Sequence, residues 1–137
     1  MDKEIKITVL DYIRLNKIVG NSRKQKTCDL RNLNTLERKI SEAVKVDSTR
    51  IAPQFVTMNS VVQVLDEGTN KPMTIRLVYP NEADFKKEYV SVLSPLGSSM
   101  LGRKIGDTVQ FDAPVGIVTI RIQQIDYQPE ASGEYQV

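Results

Sequence analysis

Apolar positions recur every three or four residues in the first third of the chain and alternate in twos over most of the remainder. Val9, Tyr12, Ile13, Leu15, Ile18 and Val19 share helical spacing, and Gly20-Asn21-Ser22 reads as their stop. A second helical stripe runs through Leu33, Leu36, Ile40, Ala43 and Val44. Asn34-Thr35-Leu36-Glu37 fits a capping box with Asn34 as cap, and Asp29 is an alternative start. Two amphipathic helices joined by about ten residues fold back as an antiparallel pair. At about 1.5 Å per residue the pattern predicts a stubby hairpin projecting about 16 to 20 Å.

The strand pattern begins after Pro53. "FVTMNSVVQVL", "MTIRLVY", "YVSVL", "TVQF" and "IVTIRIQQIDY" give five or six short strands, separated by turn signals such as Glu67-Gly68-Thr69-Asn70 and Ala113-Pro114-Val115-Gly116. On the last strand Val118, Ile120 and Ile122 share one face, whereas Ile125 and Tyr127 fall on the opposite parity. A β-bulge near Gln123-Gln124 would return all five to the core. Within "SPLGSSMLGRKIGDTV", residues 94–109, Ser94 suits a helix N-cap, Pro95 the first helical position and Gly102 a left-handed stop. The resulting helix of about two turns carries Leu96, Met100 and Leu101 and caps the sheet. The fold class is α+β: a short N-terminal antiparallel helical hairpin, then a twisted, mostly antiparallel sheet with one short helix. The change of period sets an expected division into residues 1–50 and 51–137.

Charge sharpens that division. Residues 1–50 hold twelve Lys/Arg against seven Asp/Glu, and residues 51–137 hold seven against ten, so a +5 segment precedes a −3 segment. The basic excess gathers between the helices, where Arg23, Lys24, Lys26 and Arg31 face the single acid Asp29. Such a run reads either as a solvated loop or as a tip that meets phosphate or an acidic protein surface. No aromatic residue is interleaved there, which disfavours single-strand stacking. The chain of 137 residues contains no histidine and one cysteine, Cys28. Ser-His-Asp and Cys-His machinery is therefore excluded, as are an internal disulfide and an ordinary zinc site. No run reaches the roughly 20 apolar residues of a membrane span, and "MDKEIKITVL" alternates charge with apolar residues where a signal peptide would carry an apolar run. The expected compartment is the cytoplasm.

"VTMNSVVQV", "LVYPNEAD", "VSVLSPLGSSMLGRKIGD" and "YQPEASGEY" together resemble the Rnk family, the regulators of nucleoside diphosphate kinase, relatives of the bacterial GreA/GreB transcript-cleavage factors. The resemblance covers about residues 53–135, and the N-terminal half matches mainly in layout. It implies an FKBP-like C-terminal domain that docks on core RNA polymerase beside the secondary channel, with the coiled-coil hairpin pointing toward that channel. It implies no kinase activity; the expected protein is not an enzyme and takes no cofactor or metal. It leans toward a monomer, with no membrane partner and with direct nucleic-acid contact secondary. Ser94, Pro95, Leu96 and neighbouring Leu101 match the docking segment, although Leu101 equally suits the core. Gre factors carry an Asp-x-x-Glu pair at the tip to help hold a catalytic Mg²⁺. Here Asp29 is followed at the third place by Asn32, so binding without induced cleavage is expected. Two alternatives stand beside this: a prolyl isomerase, suggested by fold alone, and a nucleic-acid-binding module using Arg23, Lys24, Lys26 and Arg31.

Overall fold

A computed structural model describes residues 4–26 and 29–135. The element order is β1 (Lys6–Thr8), α1 (Val9–Gln25), α2 (Leu30–Glu42), β2 (Val44–Val46), β3 (Val61–Asp66), β4 (Lys71–Val78), β5 (Tyr89–Ser91), α3 (Pro95–Met100), β6 (Thr108–Ala113) and β7 (Gly116–Tyr127). This is the expected α+β arrangement, a helical hairpin followed by a mostly antiparallel sheet and a short helix.

The hairpin is longer than the periodicity indicated. Helix α1 continues through Gly20 to Gln25 and ends on Lys26, whose φ of 54° is left-handed. Its 17 residues make a rod of about 25 Å, which replaces the shorter projection expected above. A glycine in a helix interior costs about 1 kcal/mol relative to alanine. Val19 and Ser22 are both buried on either side of Gly20, and packing against α2 outweighs that penalty. Helix α2 starts at the alternative site: Asp29 is the cap and its side chain accepts from the Arg31 N–H, while Asn34 lies inside the helix. Each helix buries a narrow stripe, Leu15 and Val19 on α1 and Leu33, Leu36 and Ile40 on α2.

At the base of the hairpin β1 and β2 pair in parallel, Lys6 opposite Val44 through Thr8 opposite Val46. No local pattern revealed this pair. Thr8 also caps α1, its hydroxyl accepting from the Asp11 N–H at 3.0 Å. The second sheet has the strand order β5-β4-β3-β7-β6 and is antiparallel except for the β4–β5 pair. Val62, Val64, Ile75, Leu77, Val109, Ile120 and Ile122 form its buried face. They belong to one core with Ile7, Leu15, Leu36, Ile40, Met100 and Leu101, so hairpin, sheet and short helix are packed together.

The β3–β7 register slips twice, once between Gln63 and Val64 and again between Val61 and Val62. The first slip passes over Gln123, where a bulge was expected, and brings Ile125 against the core. The second passes over Asp126 and turns Tyr127 back to the Val61 side. Tyr127 is thus not returned to the core with the other four; the Arg76 guanidinium lies 5.4 Å from its ring centroid.

Candidate docking site

The segment between β5 and β6 is a tightly determined corner. The Ser94 hydroxyl donates to the Ser91 carbonyl at 2.7 Å and accepts from the Gly97 N–H at 3.1 Å, while the Leu93 N–H donates to the Ser91 hydroxyl at 3.0 Å. Pro95 occupies the first turn, where its missing N–H has no cost. Gly97 permits the close approach of α3 to the chain before it: a Cβ there would lie 2.0 Å from the Ser91 carbonyl oxygen. Gly102, with φ of +78°, supplies the left-handed exit. The N-cap, the proline and the glycine stop are where the sequence put them.

Ser94, Pro95 and Leu96 are half-buried side chains on this corner. Leu101 is different: its side chain is completely buried, so it supports the corner from beneath and presents no contact surface. Of the two roles the sequence allowed for Leu101, the core role is the one realised. Ser94 and Leu96 border a cleft of about 770 Å³ shared with Met73, Ile75 and Tyr89, with Phe85 96% exposed beside it. Pro95 faces a second cleft of about 570 Å³ between α2, α3 and β6.

Lys39 ties the hairpin to the corner. Its Nζ reaches from α2 to the Ser98 and Ser99 carbonyls at 2.7 and 3.0 Å, the last turn of α3, where carbonyls lack helical partners and a cation is favourable. Burial, with the neighbouring positive charge of Arg103 adding to it, pushes the Lys39 amine down to about 7, and the Asp107 carboxylate opposes the shift. No local sequence signal marks Lys39, because its partners are backbone atoms about sixty residues away.

Of the basic residues at the hairpin end, Arg23 is engaged across the helices, and it borders a small pocket together with Lys26. Arg23 is on the last turn of α1, its guanidinium donating to Asn34 Oδ1 at 2.7 Å and to Glu37 Oε1 at 2.6 Å. It is a cross-helix clasp. Lys24, Lys26 and Arg31 are exposed. The Asp29 carboxylate is engaged at the start of α2, with the Arg31 side chain 3.9 Å away. Cys28 lies outside the described residues.

Beneath the hairpin a buried polar network joins the two parts of the chain. Asp11, 2% exposed, accepts from the Met58 N–H at 3.1 Å. Thr57 donates through its hydroxyl to buried Glu130 at 2.7 Å, and the Ser60 hydroxyl accepts from the Thr57 N–H. Gln128 donates to the Ala52 and Phe55 carbonyls. Burial raises the Asp11 carboxyl to about 7; the Met58 N–H opposes this and the Glu130 charge reinforces it. The "VTMNS" and "YQPEASGEY" segments that carry the family resemblance are thus structural joints. Asp11 itself escaped notice as a polar interruption in an otherwise ordinary helix.

Among the described residues there is no group of three or more His, Cys, Asp and Glu able to hold a metal ion. No helix among them is long and apolar enough to cross a membrane.

Residues 51–127 match the family model described as the C-terminal part of the transcription elongation factors GreA and GreB. The regulator of nucleoside diphosphate kinase of Escherichia coli K12 is 30% identical over 101 residues, 73% of this chain and 74% of that protein. Transcription elongation factor GreA of Maricaulis maris is 32% identical over 92 residues, 67% of this chain but 59% of the longer relative. These relatives are named as a transcription factor and a regulator, not as catalysts. Among solved structures, the elongation factor GreA/GreB from Nitrosomonas europaea superposes with a TM-score of 0.73 at 32% identity, covering 92% of this chain and all of that one. The GreA homologue Gfh1 of Thermus thermophilus shares the fold, with a TM-score of 0.50 at 22% identity over 90% of this chain and 99% of that one.

Proposed function

This chain belongs to the GreA/GreB transcription elongation factor family, and on that premise we propose that it is a regulator that binds core RNA polymerase through its α3 corner and competes there with longer Gre-type factors. The unit formed by residues 51–135 holds the rim of the secondary channel, and the unit formed by the hairpin occupies the mouth. The mechanism is occupancy. The chain binds as a monomer in the cytoplasm, makes no covalent chemistry of its own and needs no cofactor.

One observation carries this reading. Ser94, Pro95 and Leu96 stand at the surface on a corner whose backbone is held by the Ser91–Ser94 and Ser94–Gly97 hydrogen bonds and by the Ser91–Gly97 close approach. A preorganised corner loses little conformational freedom when a partner covers it, which favours affinity. The hairpin argues against stimulated cleavage. A factor that recruits Mg²⁺ needs free carboxylates at its tip. Asp29 is committed to the α2 N-terminus, and Asn32 stands where the Gre pattern has its second acid. Asp11 on Met58 anchors the base of α1 on the second part of the chain, so the about 25 Å of α1 does not all project beyond it.

The direct test is the Pro95→Ala, Leu96→Asp double variant, checked for a cooperative melting transition and titrated against purified core polymerase. Loss of binding by a folded variant supports the corner as the docking site. Unchanged affinity removes it.

A further inference from the structure

Apart from Pro95, the cleft behind α3 is lined by residues that docking by the corner does not use. Two cations from different parts of the chain, Lys39 on α2 and Arg103 just after α3, line the same cavity of about 570 Å³. Their charges are mutually unfavourable, and Arg103 is among the causes that weaken the proton affinity of Lys39. Arg103 has no carboxylate within ion-pair distance among the described residues, and its Nε is buried without a hydrogen-bond partner. An arginine that borders an open cavity without a carboxylate partner leaves its guanidinium charge for an anion in that cavity to meet. Lys39 spends two of three N–H donors on the Ser98 and Ser99 carbonyls.

The nearby acids do not fill that role. Asp107 partly offsets the charge on Lys39, but one of its oxygens already accepts from the Lys104 N–H at 3.1 Å. Asp112 is exposed where it borders the cavity. The Ser98 and Ser99 hydroxyls are turned back onto the Pro95 and Leu96 carbonyls. Pro95, Val109 and Phe111 add an apolar wall. The volume lies in the range of small-molecule sites, which combine an apolar lining with a few polar groups that fix orientation.

We propose that this cleft binds a small phosphate-bearing solute, its phosphate gripped by Lys39 and Arg103 and its body laid against Pro95, Val109 and Phe111. Phosphate suits the pair better than a single carboxylate. It offers several oxygens, enough to accept from the planar guanidinium and from the spare ammonium donor together. Binding at neutral pH draws a proton onto Lys39, because an anion facing the amine from the cavity adds to the effect of Asp107 and opposes that of Arg103. The occupant sits against the inner side of the helix whose first turn carries Pro95 and Leu96. Binding of the solute does not depend on polymerase and is measured without it.

The test is calorimetric titration of the full chain at pH 7 with inorganic phosphate and with phenyl phosphate. It is run in two buffers of different ionisation enthalpy and paired with amide NMR of the same samples. The expected result is saturable binding with net proton uptake. Shifts should centre on Thr35, Ser98, Ser99, Arg103 and Gln110, and phenyl phosphate should bind more tightly than inorganic phosphate. Arg103→Met and Lys39→Met should each weaken binding about tenfold or more, the scale of one lost charge-assisted contact, while exposed Lys24→Ala leaves it unchanged. Absence of saturable binding to either probe overturns the proposal. So do shifts confined to the hairpin end, or affinity retained in Arg103→Met. Because the NMR map uses the unaltered chain, a variant that fails to fold leaves the site testable.

Discussion

Replacing Asp11 by asparagine should stabilise the protein at alkaline pH and leave it nearly unchanged in acid. Asp11 is buried at the joint between α1 and the "VTMNS" segment, and its carboxyl is raised from 3.8 to about 7. The native state therefore binds a proton more readily than the unfolded chain between those values. The resulting stability is fully present below about 4 and is lost as pH rises through about 7. Three pH units at about 1.4 kcal/mol each give a penalty on the order of 4 kcal/mol for the ionised carboxylate at pH 8. Asparagine keeps an oxygen to accept from the Met58 N–H and never ionises. Lys39 adds the opposite slope: its amine, lowered from 10.5 to about 7, burdens the native state below about 7 and ceases to do so toward 10.5. Together the two groups predict a stability trough near neutrality. Urea unfolding of the parent and Asp11→Asn from pH 4 to 9 measures both arms. The variant should lose the descending arm between pH 4 and 7. A variant destabilised equally at every pH, or a parent curve without that arm, would refute the assignment of a costly buried charge to Asp11.

Other consequences are more local. Gly97→Ala forces α3 away from the Ser91 carbonyl, and overpacking of this kind costs about 1 to 3 kcal/mol; a lowered melting temperature checks it, with polymerase affinity falling as well. Leu101→Ala should cost about 2 to 5 kcal/mol of stability, as for a buried leucine elsewhere, whereas Pro95→Ala should change affinity more than melting. Arg23→Ala breaks the bonds to Asn34 and Glu37, yet as a partly exposed pair its loss should stay within about 1 kcal/mol, read by urea unfolding. If the chain had a nucleic-acid role through Lys24, Lys26 and Arg31, affinity for naked DNA or RNA would fall steeply with salt; a gel shift at low salt should instead show no complex.

Local signals determined most of what the sequence could disclose. The α3 corner was legible because three independent rules meet there: a serine cap, a proline at the first turn and a glycine in the left-handed region. Features set by distant partners were not. Gly20 resembles a helix stop in isolation, and only the burial of Val19 and Ser22 carries α1 past it. Asn34 resembles a cap, but Asp29 takes that role and leaves Asn34 to accept from Arg23 on the other helix. Parallel pairing of the three-residue strands β1 and β2 has no periodicity to read. The second slip in β7, which turns Tyr127 away from the core, depends on its register with β3. Buried Asp11 and enclosed Lys39 went unrecognised because the groups that define them, the Met58 N–H and the α3 carbonyls, are main-chain atoms.

The proposed mechanism is occupancy of the polymerase without stimulation of cleavage. It is tested most directly by mixing core RNA polymerase stalled in a backtracked complex with a Gre factor and increasing amounts of this protein, following bound Gre factor and transcript cleavage together. Gre factor should be displaced, cleavage should fall in proportion, and this protein alone should produce none. Failure to displace the Gre factor, or cleavage stimulated by this protein alone, would contradict it.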